Sequence, residues 1–492
     1  MPKNVNAEIS DLQRDLYGLL EKNPGEAVTA ARNLIPTGLL GKDLIDNLKA
    51  CVLVDAGKAG KDKEAVEDGV KIFRKIFHNN PERPDIRYNL ANGLFGLSEM
   101  EDVSDGVWHL NTWEMRREAR RFYEFTTRNS KDPNLATQAL TNVGNLLWRS
   151  YRWVEAYDSY IEALNHDPSN GIAAARAAQL LLYYADIGIG DPEVLKGVAL
   201  RHIHIFKDSS ENILKYGGRH ALESLSKLLE SGAAKKPDRE PANLNRYESF
   251  VAKNRLALSA TIEGLDRSAL YWDSLIISSI NKPVNIKSGV SPVIAMFNIM
   301  KADYLLARRL AYYAFKGRFP ESGNYYDTLD NANYGMDSSL ITLAQRACFD
   351  ILDKVAIAAA EYLGIKDLPK SVHFGNIWHK KSRKTEVRFE WRPEILAEVE
   401  KGNSAIIALA ELSEDLRGRG YLKVKKSLRN AATHRFVVLH KTSVEKVRKN
   451  KYIDHYTLDT IRSESISTLK MVRSTLLYFV EMIAIHEAQI KD

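Results

Sequence analysis

The feature that most constrains this chain is a 34-residue period of small and aromatic residues in its N-terminal part. Leu140, Gly144, Leu147, Ala156, Tyr160, Ala163 and Pro168 are spaced as two short helices joined by a turn. Gly57, Gly69, Phe73, Ile76 and Pro81 take the same offsets earlier in the chain. Ala91 lies 34 residues after Gly57, and Ala178 lies 34 after Gly144. From Ala91 to Gly144 the spacing is 53, one period plus 19 extra residues, which we assign to an insertion around Ser98 to Trp113. In such a unit the small residues let two helices approach, the aromatic fills the space between them, and proline ends the second helix.

This periodicity resembles the tetratricopeptide repeat. The resemblance implies a degenerate α-solenoid with an N-terminal cap over residues 1–190, able to hold a protein or peptide partner on its concave face. Helical patterning continues through a connector at 191–243, whose last part, Ser231 to Asn243, is rich in Gly, Ala, Lys and Pro and reads as a linker. A chain of 492 residues exceeds what one hydrophobic core serves, so a second unit is expected over 244–492.

In that second part the expected helices include Ser338–Leu363, with Leu340, Leu343, Ala347, Ile351, Val355, Ala358 and Tyr362 on one stripe, then Ser404–Asp415 and Leu458–Ile485. Helical periodicity is interrupted once, at 367–393. There Val387, Phe389 and Trp391 alternate with Arg388, Glu390 and Arg392, the pattern of a short strand or hairpin. The fold class expected is therefore all-α, a solenoid followed by a helical bundle.

Composition excludes several classes. Hydrophobic residues make up 45% and charged residues 27%, ordinary for a globular protein. No run approaches the roughly 20 apolar residues of a membrane helix, and the first residues lack the order of a signal peptide, so a cytoplasmic protein without membrane contact is expected. Cys51 and Cys348 lie far apart in apolar helical patterns and read as buried thiols. His202 and His204 form an H-x-H pair with no cluster of Cys, Asp or Glu to complete a metal site, so neither metal nor cofactor is expected. No phosphate-binding glycine loop, nucleophile elbow or paired-carboxylate signature is present.

The net charge of +7 is modest, but its distribution is not. From Arg417 to Lys451 there are twelve Lys and Arg against a single acid, Glu445. Such a field attracts phosphate. Within it lies Ser427-Leu428-Arg429-Asn430-Ala431-Ala432-Thr433-His434-Arg435-Phe436. On a helix Asn430 and His434 share a face, while Arg429 must reach around with its long stem to grip a phosphate in bidentate fashion. A histidine titrating near neutrality can take a proton from a ribose 2′-hydroxyl or deliver one to the 5′-oxygen leaving group. Lys425, Lys426 and Arg435 are the candidate RNA contacts. Tyr421 and Phe436 stand nearby, Phe436 read as core packing.

The Arg429-x4-His434 string, with Asn430 directly after the arginine and an aromatic just after His434-Arg435, resembles the motif of HEPN domains. Asn298 to Arg308 and Cys348 to Lys354 resemble helices of the HEPN subfamily found behind tetratricopeptide arrays. The resemblance implies a homodimeric, metal-independent endoribonuclease in which Arg429, Asn430 and His434 of two subunits flank one scissile phosphate, with Asp353 as a possible supporting acid. It further implies an effector or toxin of defence against phage, governed by its repeats. Ala431 and Ala432 stand where a bulkier or acidic residue is often seen. His440, six residues past the motif, reads as a surface or core histidine rather than a second base. Two alternatives stay open: a non-catalytic adaptor binding protein or nucleotide, and a nucleotidyl-transfer pocket with Tyr421 or Tyr452 as acceptor.

Overall fold

The computed structural model describes residues 2–36, 41–230, 243–263, 272–278, 280, 291–316, 323–366, 372–380, 390–417, 420, 422, 436–444 and 450–490. They are overwhelmingly helical. In chain order the helices are α1 (Pro2–Lys22), α2 (Pro24–Arg32), α3 (Lys42–Gly60), α4 (Lys63–Asn79), α5 (Pro84–Glu99), α6 (Asp105–Asn129), α7 (Pro133–Arg149), α8 (Trp153–His166) and α9 (Gly171–Asp186). There follow α10 (Pro192–Asp208), α11 (Ser210–Glu230), α12 (Arg246–Lys253), α13 (Pro292–Lys316), α14 (Met336–Tyr362), α15 (Pro393–Glu400), α16 (Ser404–Asp415) and α17 (Leu458–Gln489). The chain divides into two compact units, one of residues 1–146 and 162–168, the other of 147–161 and 169–492. The linker expected at 231–243 lies, but for its last residue, outside the described residues.

In the first unit successive helices pack as helical repeats: α2 on α3, α3 on α4, α4 on α5 and α5 on α6. The helix starts follow local chemistry. Asp62 accepts the Ala65 N–H as the cap of α4, and Asn23 accepts from Gly25 and Glu26 at the start of α2. The repeat glycines sit where backbones come closest. A Cβ on Gly57 would stand 2.7 Å from Val66 Cγ2, and one on Gly69 would stand 2.8 Å from Val54 Cγ2. Phe73 and Ala91 of the same pattern are fully buried. The extra residues before Gly144 contribute the first half of the long α6, tied back where Trp108 Nε1 donates to the Ser98 carbonyl at 2.7 Å.

In the second unit α13, α14 and α17 pack together, and α16 packs on α17. Phe297 stacks on Phe479, Gln345 donates to Ser465 at 2.8 Å, and Tyr362 donates to Glu487 at 2.7 Å. Helix α14 is buried on more than the single stripe expected: Ile341, Ala344, Phe349 and Leu352 are inside, while Leu343 is 48% exposed. A helix wedged between two neighbours has no single apolar face. Asp158 is shared between Arg255 at 2.7 Å and Arg473 at 2.6 Å, and Arg152 pairs with Asp415. Burial works against ionisation of Asp158, but Arg473, Lys470 and Arg255 outweigh it and hold the carboxyl well below the usual range.

The second unit also carries a three-stranded sheet that the helical reading of 244–492, interrupted only at 367–393, did not anticipate: β1 (Ala332–Asn333), β2 (Phe436–His440) and β3 (Ile453–Thr457), in the order β1-β2-β3. Strand β1 runs antiparallel to β2, and β2 runs parallel to β3 with Val438 opposite His455 and His440 opposite Thr457. Val437, Val438 and Leu439 form a short apolar run of the kind that strands favour. Within 367–393 an antiparallel bridge joins His379 to Trp391, with the Lys380 N–H donating to the Glu390 carbonyl at 2.9 Å. Val387 and Phe389 lie outside the described residues.

Among the described residues no helix is long and apolar enough to cross a membrane. Both cysteines are free thiols; Cys348 is buried and Cys51 only half-buried, on α3.

Candidate functional site

The chain enters the basic segment from the end of α16. Arg417 donates to the buried carboxylate of Glu414 at 2.9 Å, the Gly420 N–H donates to the Arg417 carbonyl at 2.7 Å, and buried Leu422 donates to the Asp415 carbonyl at 3.1 Å. It re-emerges at Phe436, whose N–H donates to the Tyr452 carbonyl at 2.9 Å as β2 begins. Arg429, Asn430, His434, Lys425, Lys426, Arg435 and Tyr421 lie outside the described residues. What the structure provides is the pair of anchors between which that segment runs: the α16 turn through Asp415, itself paired with Arg152, and the first rung of the sheet.

Asp353, on α14, accepts the Phe374 N–H at 3.0 Å. Phe374 is buried edge-on against Trp378, whose Nε1 returns a hydrogen bond to the Phe374 carbonyl at 2.9 Å. The carboxylate thus holds the 372–378 turn against α14. Asp353 and Arg417 line one cavity of about 70 Å³ with Phe349, Leu352, Phe374 and Ser413. That space suits a water or two and is far below the roughly 300 Å³ of a small-molecule pocket. Asp353 and the first arginine of the basic segment thus border one small space.

His379 lies 3.8 Å from Glu414, within ion-pair distance. Burial, with Arg417 adding to it, nevertheless lowers its pKa to about 3. The ring is neutral at pH 7, stacked on Trp391 at 4.9 Å, and the contact is no salt bridge.

A larger groove of about 520 Å³ runs between α12 and the end of α13, with Arg246, Lys253 and Lys316 beside Phe250 and Phe315. Phe250 and Phe315 pack against each other in its wall, ring centroids 5.8 Å apart. These residues are scattered over 70 positions of sequence, so no local signal marked them.

Phe436 is 73% exposed at the head of β2 rather than packed in the core, and Tyr452 beside it is 59% exposed. Burial deepens along β2: Leu439 and His440 at its end are buried, and its first residue lies at the surface. His440 is fully buried, which agrees with a core position. Its partner, His455 on β3, drew no notice in the sequence. His440 Nε2 lies 2.9 Å from His455 Nδ1, and His440 Nδ1 lies 3.0 Å from the Asp330 carbonyl. Asp330, His440 and His455 each offer a ligand atom within 4.8 Å of the others, so a metal ion has three donors here. His202 is buried and His204 exposed, so the H-x-H pair converges on nothing. His202 instead meets the Tyr157 hydroxyl at 3.2 Å.

The family model described as LA2681-like HEPN matches residues 284–487. That span includes α13, α14, α16, nearly all of α17, the sheet and the basic segment. No curated protein matches the chain.

Proposed function

We propose, from the premise that residues 284–487 of this chain form a HEPN domain, that the protein is a metal-independent endoribonuclease. The observation that carries the reading is the position of Arg429-x4-His434: inside the matched span, in the most basic stretch of the chain, between the anchors at Leu422 and Phe436. HEPN domains are commonly ribonucleases, which supports a nuclease over other uses of the fold.

In this reading His434 takes the 2′-hydroxyl proton while Arg429 neutralises the charge that develops on the phosphorane-like transition state. Asn430 orients the histidine or bonds the phosphate, and the second His434 of a homodimer protonates the 5′-oxygen. Lys425, Lys426 and Arg435 hold the flanking phosphates. Asp353 acts at one remove, by fixing the 372–378 turn beside Arg417. The helical repeats of the first unit, read as tetratricopeptide-like, hold a protein or peptide partner that governs the nuclease, and the protein serves as a cytoplasmic effector or toxin in antiviral defence.

Total RNA and transfer RNA are incubated in EDTA with wild type, Arg429→Ala and His434→Ala at matched dimer content. Cleavage that survives EDTA and disappears in both variants is the expected result. Cleavage by His434→Ala at the wild-type rate would refute the assignment. If no protein cleaves, toxicity of wild type but not His434→Ala in cells distinguishes a nuclease awaiting its trigger from an adaptor.

A further inference from the structure

The sheet of the second unit gathers two histidines and an aspartate from three separate stretches of chain. Residue 440 ends β2, residue 455 lies mid-β3, and Asp330 precedes β1. Parallel pairing sets Val438 opposite His455, so His440, two residues on, presents its side chain to the same face as His455. The antiparallel pairing of Ala332 with His440 brings the Asp330 loop to that point. That loop is held by unusual backbone: Leu329 and Asn331, on either side of Asp330, both take φ of 58°, a left-handed conformation that is costly for leucine.

The hydrogen bonds specify which atoms are available. His440 Nδ1–H donates to the Asp330 carbonyl at 3.0 Å, which places the lone pair of the buried ring on Nε2. This is how protein-bound histidines are usually oriented toward a metal, one nitrogen fixed by a carbonyl and the other turned to the ion. His455 Nδ1 stands 2.9 Å from that Nε2. Two nitrogens bound at about 2.0–2.1 Å to one ion lie roughly 3 Å apart at the angles of six-coordination and slightly more at tetrahedral ones. The Asp330 carboxyl is fixed in place by the Thr328 hydroxyl donating at 2.6 Å and the Ala332 N–H donating at 3.2 Å, and it supplies the third donor.

We propose that Asp330, His440 and His455 bind one divalent transition-metal ion of the zinc class, which clamps β1, β2 and β3 together. Two imidazoles and a carboxylate suit zinc and its neighbours and are poor ligands for calcium or magnesium. Binding replaces the hydrogen bond between the rings: the proton on His455 Nδ1 moves to its Nε2, so that both facing nitrogens turn a lone pair to the ion. Water supplies the remaining coordination. The ion is structural, acting on the strand that follows the basic segment rather than on a scissile phosphate. Its assignment stands apart from the nuclease reading, because what is read is metal binding itself.

Tag-free full-length protein, stripped with chelator and exchanged into metal-free buffer, is titrated with ZnCl2 by calorimetry and with CoCl2 by visible absorption. Wild type is expected to take up one equivalent, and to show the absorption of a nitrogen- and oxygen-ligated cobalt site. His455→Ala and Asp330→Ala are expected to lower the zinc affinity by at least about tenfold, while His204→Ala leaves it unchanged. Asp330→Asn, which retains the loop's hydrogen bonds, serves if a larger change unfolds the sheet, as judged by circular dichroism. Failure of wild type to take up an equivalent, or wild-type affinity in folded His455 and Asp330 variants, overturns the proposal.

Discussion

Arg473 Nη2 reaches Asp158 Oδ2 at 2.6 Å across 315 residues of sequence, and Arg255 Nε meets the other oxygen of the same carboxylate at 2.7 Å. One carboxylate is thus shared between two buried guanidinium groups of the second unit. Removing it takes from both buried cations the carboxylate they contact, a loss of about 3–5 kcal/mol. Asp158→Asn should lower the stability by that order in urea unfolding; a loss under about 1 kcal/mol would show that the arginines are satisfied by other groups.

Tight helix contacts in the first unit make a contrast between glycines. Gly57→Ala places a methyl 2.7 Å from Val66 Cγ2 and 2.9 Å from the Asp62 carbonyl, so overpacking of about 1–3 kcal/mol is expected. Gly18, inside α1, has nothing within 4 Å of an added Cβ, and Gly18→Ala should stabilise by up to about 1 kcal/mol through helix propensity. Melting temperatures of the two variants should move in opposite directions.

Acid should weaken the second unit through His202. Its pKa falls from 6.5 to about 4 because the ring is buried, with Arg201 and Arg255 adding to the effect, while Tyr157 contacts it from α8. The unfolded chain binds the proton more readily, so stability is complete above pH 6.5 and is lost as pH falls toward 4, levelling off below. The full loss is about 3 kcal/mol. His379, with its still lower pKa of about 3, extends the same trend. Denaturant unfolding at pH 7.5 and pH 4.5 measures the slope, which His202→Gln should flatten.

The nuclease reading predicts how binding responds to charge. Each phosphate contact removed should lower the slope of log affinity against log salt by about 0.7 for single-stranded RNA. Lys425→Ala with Lys426→Ala should therefore cut the slope by more than one, as measured by fluorescence anisotropy with a labelled oligonucleotide. If RNA also crosses the groove beside α12, Lys253→Glu should weaken binding without touching the cleavage rate at saturation.

Asp353 separates a positioning role from a chemical one. Asp353→Ala removes the acceptor of the Phe374 N–H and should cost about 1–3 kcal/mol, whereas Asp353→Asn keeps a carbonyl acceptor and should cost less. A pH–rate profile unchanged in Asp353→Asn is the outcome expected of a residue that acts through the turn it holds.

Much of this architecture is legible in the sequence, for a local reason. The small and aromatic residues at repeat spacing, Gly57, Gly69, Phe73 and Ala91, are buried between helices, because a helix exposes its periodicity to inspection one turn at a time. Helix α16 begins and ends at the residues expected, Ser404 and Asp415. The HEPN domain was likewise recognisable from a short string, Arg429 to His434, within the span matched by the family. Local order failed as a guide at β2 and β3, five residues each, too short for period two to stand out beside long helices. Only tertiary structure decided that His440 would meet His455 and a carbonyl 110 residues away, or that Asp158 would bind Arg473. Those meetings depend on strand register and on the packing of distant helices. A charge or an imidazole leaves no periodic trace of the partner it will find, and the energy that selects that partner exists only once water has been excluded around both.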